Sequence, residues 1–313
     1  MRRTAGMGSV EALLKDELCR ADRALGSVAP MLGHVLASSG HALINDAIVA
    51  RVRGMLNHLA LQLAQAMDRA LGSSGFDYEP TEELAEQLAG DQAILSFCHA
   101  IAMEGHLTER LGQRSSVDPV LSPMWQELIG APDGGVAELA MNGLAAQARF
   151  VEAQRRMQLP IGELPPAILE RSVKLWTLAC PAELGPAIGS AITAIKRDYD
   201  EGTSRAGLLA RLISSMRGRA SAALELDHAG LALFASALAA LTGQPRERAV
   251  MACHEGQAAR LAVSLRAAGL GSEAIERQFL LLEPAQLLPG GLEAMSSESA
   301  ARLLRQSRLE AAG

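Results

Sequence analysis

The sequence predicts an all-α fold, an irregular array of antiparallel helical hairpins. Three observations carry this. Alanine (56) and leucine (48) make up one third of the 313 residues, whereas valine and isoleucine together number 24. Alanine and leucine suit helices, and β-branched residues suit pleated surfaces. Apolar residues also recur at three- and four-residue spacing over long stretches, and proline or glycine punctuates the chain between them. Hydrophobic residues are 49% and charged residues 20%, too apolar for a disordered chain and too evenly charged for a membrane protein.

The elements follow in order. Residues 9–28 read as a helix with Leu13, Leu14, Leu18 and Leu25 on one side, ended or renewed at Pro30 and broken at Ser38-Ser39-Gly40. Residues 42–71 form the clearest helix, because Ile48, Val52, Met55, Leu59, Leu63 and Ala66 make a continuous apolar stripe. Its opposite stripe, Arg51, Gly54, His58, Gln62, Gln65 and Arg69, is expected to be wet. After Gly72-Ser73-Ser74-Gly75, Thr81 opens another helix and Asp91 caps one that runs to about Leu111. Further helices are expected at about 119–130, 134–157, 165–179, 183–199, 205–224 and 228–242. Pro132, Pro160, Pro165-Pro166, Pro181 and Gly202 separate them. Helices near 245–254, 256–268 and 272–282 are jointed at Gly243-Gln244-Pro245 and Gly269-Leu270-Gly271. A terminal helix near 296–310 follows Pro289-Gly290-Gly291 and reads as loosely docked. Short connections imply antiparallel neighbours. No fixed repeat period holds. The expected organisation is an N-terminal lobe over 1–113, a helical-hairpin lobe over 114–290 and a tail over 291–313, with the weakest seam at the polar stretch 113–118.

Charge and address narrow the function classes. The net charge of −6 argues against broad attraction to nucleic acid. Aromatics at 3% argue against a base-stacking surface. Cys19, Cys98, Cys180 and Cys253 are far apart with no C-x-x-C pair, as expected of small buried hydrophobes in a reducing cytoplasm. Glu11, Lys15 and Asp16 interrupt any export signal near the start. The longest apolar run, about 229–241, is shorter than the ~20 residues a membrane span needs.

One set of blocks is more distinctive. It begins with Asp118-Pro119-Val120-Leu121-Ser122-Pro123 and Ala140-Met141. Its strongest part is Ala146-Gln147-Ala148-Arg149-Phe150 with Gln154-Arg155-Arg156-Met157, followed by Gly162-Glu163-Leu164-Pro165. Further along come Leu231-Ala232-Leu233-Phe234 and Leu265-Arg266-Ala267-Ala268-Gly269-Leu270. Together they resemble the helical alphaproteobacterial family catalogued as domain of unknown function 2336, over roughly 21–289. The resemblance implies an all-α cytoplasmic protein and brings no catalytic residues with it.

The residues themselves offer few chemical signatures. His34 and His41, and His99 and His106, are seven apart, which sets each pair about 10 Å apart along a helix, too far to share an ion unaided. His254-Glu255 starts like a zinc-protease helix, but position 258 is alanine. No Walker loop, dinucleotide fingerprint or nucleophile elbow is present. No cofactor, metal or catalytic residue is therefore assigned. Trp125 and Trp176 read as core.

Three surfaces remain as candidates. Arg149 and Arg156, seven apart, share a helix face flanked by Arg155, with Gln147 and Gln154 alongside. These planar donors suit carboxylates or phosphate on a partner, while pairing with Glu152 or Glu163 is the plain structural alternative. His58, on the wet stripe, is the candidate phosphoacceptor of a histidine phosphotransfer protein. Residues 238–252 have a helix-turn-helix outline, but Arg246, Glu247 and Arg248 leave it near neutral. The leading expectation is a non-enzymatic cytoplasmic interaction or regulatory module that binds a protein partner through Arg149, Arg155 and Arg156. Phosphotransfer through His58 comes second. A DNA binder or an enzyme assembled from distant residues follows. Self-association is compatible with any of these.

Overall fold

The computed structural model describes residues 7–37, 46–72, 79–282 and 288–310, and among them it is all-α, with no strand. The helices are α1 (Met7–Ala37), α2 (Asp46–Leu71), α3 (Glu79–Gly90), α4 (Gln92–Ser115), α5 (Pro123–Ile129), α6 (Gly134–Arg155) and α7 (Pro166–Ala179). They continue as α8 (Gly185–Asp198), α9 (Arg205–Ser215), α10 (Leu226–Thr242), α11 (Arg246–Ala252), α12 (Ala258–Ala267), α13 (Ser272–Leu282) and α14 (Ser297–Glu310), with short 3-10 turns between several of them. Among the described residues no single helix is long and apolar enough to cross a membrane.

Two compact units divide the chain. One gathers Met1–Ser27, Met103–Gln147 and Leu209–Gly313, and the other Val28–Ala102 and Ala148–Leu208. Both are drawn from discontinuous stretches, whereas the expected lobes were cut at 113 and 290. The stretch 113–118 is polar because Gln113, Arg114, Ser116 and Asp118 are exposed, not because the structure parts there. The Ser115 hydroxyl donates to the Leu281 carbonyl (3.2 Å), tying the end of α4 to α13 within one unit.

The first unit is built around α10. Twelve of its residues, from Leu226 to Ala239, are buried, as an apolar run without a polar face requires. The Gln278 side chain accepts the Leu226 N–H (2.9 Å). Gly243, at φ 63, closes the helix in the left-handed conformation. Gly230, at φ 72 and ψ 161, interrupts it. There the Ser122 hydroxyl donates to the Ala229 carbonyl (2.8 Å). Trp125 is 1% exposed, against Gly143, whose missing Cβ makes room for the indole. The terminal helix is docked rather than loose: α14 lies on α12, and Ala300, Leu303 and Leu304 are buried. These apolar positions are sparse in the sequence of 297–310 and share one helical face.

The second unit is built around α2, which packs on α3 and α8. Ile48, Val52, Met55, Leu59, Leu63 and Ala66 are all buried, as their spacing predicts. Asp91 does cap α4: its Oδ1 accepts the N–H groups of Ala93 (2.9 Å) and Ile94 (3.1 Å). Arg171 of α7 donates through Nε to the same carboxylate (3.1 Å), so one acid serves as cap and ion-pair partner. Trp176, also of α7, is buried. Pro30 lies inside α1, which continues to Ala37. A proline deletes one i→i−4 bond without forbidding further turns, so its presence alone did not locate a helix end.

Candidate functional site

The end of α6 carries the three candidate arginines. A left-handed residue stops the helix. Met157, at φ 55, donates its N–H to the Gln154 carbonyl (3.2 Å), and the Gln158 N–H donates to Ala153 (2.8 Å). This double closure is a Schellman motif, with methionine where glycine usually stands. The expected helix therefore ends two residues early. Arg155 and Arg156 fall in the last turn, where the negative end of the helix dipole favours cations.

Arg149, Arg155 and Arg156 are all exposed. Arg156 pairs with Glu152 at 2.8 Å and Arg155 reaches the same carboxylate at 3.9 Å, with side chains 64% and 65% exposed. Among the described residues Arg149 forms no ion pair. Three guanidinium groups against one carboxylate leave a local charge of about +2 on a chain whose net charge is −6. Exposed pairs of this kind add about 0–1 kcal/mol to stability, so folding alone does not require them. The neighbouring ring is not free: Arg205 stacks on Phe150 with 3.6 Å from guanidinium carbon to ring centre.

The flanking residues depart from expectation. Gln147 and Gln154 are buried, not beside the arginines on the surface. Gln147 donates to the Pro119 carbonyl (2.8 Å), and Gln154 lies 3.7 Å from the Met55 sulfur. Their seven-residue spacing continues the buried line that begins at Ala140, whereas 149 and 156 lie on another face. Glu163 does not serve the arginines either. Its Oε2 accepts the Arg205 N–H (2.8 Å) at the start of α9.

His58 is half-buried, not on a wet face. Its Nδ1 lies 3.0 Å from the Leu159 carbonyl and 3.2 Å from the Leu159 amide nitrogen. Gln62 completes the contact, donating to the Leu159 carbonyl (2.8 Å) and accepting the Ile161 N–H (3.0 Å). Gly54 makes the approach possible, since a Cβ there would stand 2.5 Å from the Met157 Cβ. The middle of the polar stripe of α2, Gly54, His58 and Gln62, is therefore a latch for residues 157–161. Two polar side chains in sequence cannot reveal whether water or backbone amides satisfy them.

The remaining candidates resolve into structure. In α11, Ala249, Val250, Met251 and Ala252 are buried and Arg246, Glu247 and Arg248 are half-buried. Arg246 turns inward, donating to Glu104 at 2.6 and 2.7 Å and to the Ser236 hydroxyl at 2.9 Å. His254 caps a 3-10 turn through the Gly256 N–H (3.1 Å). His41 and the His34 side chain lie outside the described residues. Among the described residues no three His, Cys, Asp or Glu side chains converge on a point. A recess lined by Thr108, Asp118 and Gln147 holds about 10 Å³, room for one water.

Sequence reasoning missed the buried ion pairs Arg246–Glu104 and Arg260–Asp22. A faint signal existed for the second, because Arg260 shares a helical face with Val263 and Ala267 inside an apolar stretch. No protein-family model, curated protein or solved structure matches the chain, so the likeness to domain of unknown function 2336 rests on the quoted residues alone.

Proposed function

We propose that this chain is a non-enzymatic interaction module that holds an acidic segment of a protein partner against the C-terminal end of α6. The observation that supports this is the trio Arg149, Arg155 and Arg156: all exposed near the end of one helix, with Glu152 the one ion-pair partner of Arg155 and Arg156 among the described residues. Planar guanidinium groups bind carboxylates through paired hydrogen bonds. The left-handed turn at Met157 and the His58–Gln62 latch fix the backbone that follows, so the donors project from a held element. A preordered donor set loses less entropy on binding. Membership of the helical family that the sequence resembles belongs to the same proposal.

The test is quantitative capture from the native cell with the tagged wild-type chain and with Arg149→Ala/Arg156→Ala. The double variant keeps its helical circular dichroism and loses at least ten-fold of the captured partner. Capture also falls as salt is raised from 50 to 300 mM, as exposed charge pairs require. Equal capture by a folded double variant overturns the assignment.

A further inference from the structure

The first half of α1 behaves as a ligand of its own chain. Val10, Leu14 and Leu18, four residues apart, lie on one helical face and are all buried. They cluster with Val263 of α12 and with Met295, Leu303 and Leu304 in and before α14. Gly291 floors one end of this cleft. Its φ is +87, and a Cβ there would stand 2.5 Å from a Val10 methyl. At the other end lies Arg260, 1% exposed, paired with Asp22, whose second oxygen accepts the Ser307 hydroxyl. Gln257 donates to the Ala21 carbonyl (3.0 Å).

We propose that the cleft between α12 and α14 is a receiving groove for an amphipathic helix of a partner protein. That helix carries aliphatic residues at i, i+4 and i+8 and a carboxylate at i+12. The first half of α1 is its internal occupant and competitor.

Charge complementarity selects the occupant. Without Asp22 the groove holds a buried guanidinium with only neutral partners, Gln257 and Ser307. Burial, and the like charge of Arg248, push the Arg260 guanidinium down while Asp22 opposes them. A carboxylate at that depth is therefore required of whatever fills the cleft. An apolar helix lacking one leaves the cation unpaired. Among the described residues the cluster under α1 draws on α1, α12 and residues 295–304, and the polar contacts join residues 236–285 positions apart. The outer face of α1 is exposed at Leu13 (57%) and at Lys15, Asp16 and Arg20. Helix-in-groove binding uses one such face with anchors at these intervals.

A fluorescein-labelled peptide of residues 7–27 tests this by anisotropy against full-length chains. The peptide binds the Asp22→Ala chain, whose own strap is weakened, at least ten-fold more tightly than the wild-type chain. A peptide carrying Asp22→Ala binds that chain at least ten-fold more weakly than the native peptide. Should the Asp22→Ala chain lose helical circular dichroism, the Leu14→Ala chain takes its place with the same two expectations. Absence of binding, or equal binding by both peptides or to both chains, overturns the proposal. A wild-type dimer that the peptide disperses assigns the groove to a second copy and overturns the partner reading. Arg149→Ala/Arg156→Ala leaves peptide affinity unchanged, which separates this site from the α6 surface.

Discussion

Removing the Glu104 carboxylate is the sharpest probe of the first unit. Glu104 is 1% exposed and its partner Arg246 14%, and their contacts measure 2.6 and 2.7 Å. Burial alone would lower the Arg246 guanidinium; the Glu104 charge and hydrogen bonds outweigh it and hold the group above its ordinary value. In Glu104→Leu the cation keeps the Ser236 hydroxyl (2.9 Å) and loses its counter-charge. Breaking a buried pair from one side costs about 3–5 kcal/mol. With an unfolding entropy of about 2.1 cal/mol/K per residue, that lowers the melting temperature by about 5–8 °C for a chain of this length unfolding together. Thermal and urea unfolding followed at 222 nm measure it. Glu104→Leu/Arg246→Leu, which replaces both charges with apolar volume, recovers about 2 kcal/mol or more relative to the single variant. A single variant that loses less than about 1 kcal/mol, or a double variant no more stable than the single, refutes the reasoning.

Three further outcomes follow from other elements. Burial pushes the Asp91 carboxyl up, but hydrogen bonds from Arg171 and the Ile94 and Ala93 amides bring it below the usual range. The ionised form thus stabilises the fold fully above about pH 4 and stops doing so as pH falls through the depressed value. Asp91→Ala therefore costs about 1–2 kcal/mol at neutral pH and less near pH 2, read from urea midpoints; a constant difference contradicts this. Gly54→Ala gains about 1 kcal/mol of helix propensity yet drives a Cβ to 2.5 Å from the Met157 Cβ and 2.9 Å from its carbonyl oxygen. Net destabilisation of about 1–2 kcal/mol is expected, with faster amide exchange at Leu159 and Ile161, and a stabilised variant counts against the latch. Burial pushes the Cys98 and Cys253 thiols up to about 12 and raises the half-buried Cys180 as well, so the native chain at pH 8 reacts with a thiol reagent faster at Cys19 and Cys180 than at the fully buried pair. All four reacting at one rate in the native state is the contrary result.

Local features were legible and long-range pairings were not. The stripe from Ile48 to Ala66, the Asp91 cap and the Gly243 terminus follow from periodicity and backbone chemistry acting within a few residues. Pro123, Pro166 and Pro186 stand in the first turns of α5, α7 and α8, where a missing amide hydrogen costs nothing. Met157 hid the end of α6 because the left-handed position usually carries glycine. Met157 lies against Gly54, about a hundred residues away in sequence. Arg246 and Arg260 look like surface arginines until their carboxylates, 142 and 238 positions away, are known. The stretches of the two units alternate along the sequence for the same reason: which stretches share a core is decided by pairings that no local period encodes. Of the candidate site, the exposed arginines were legible. The burial of Gln147, Gln154 and His58 was not, since a polar side chain reads alike whether it meets water or a backbone amide.

The central claim, that the end of α6 is a docking surface, is tested most directly by photocrosslinking in the native cell. A photoreactive residue replaces exposed Ala148, beside Arg149, or exposed Glu276 on α13. The account predicts one discrete protein adduct from position 148, none from 276, and its loss when Arg149 and Arg156 are also changed to alanine. No adduct at 148, or the same adducts from both positions irrespective of the arginines, contradicts it.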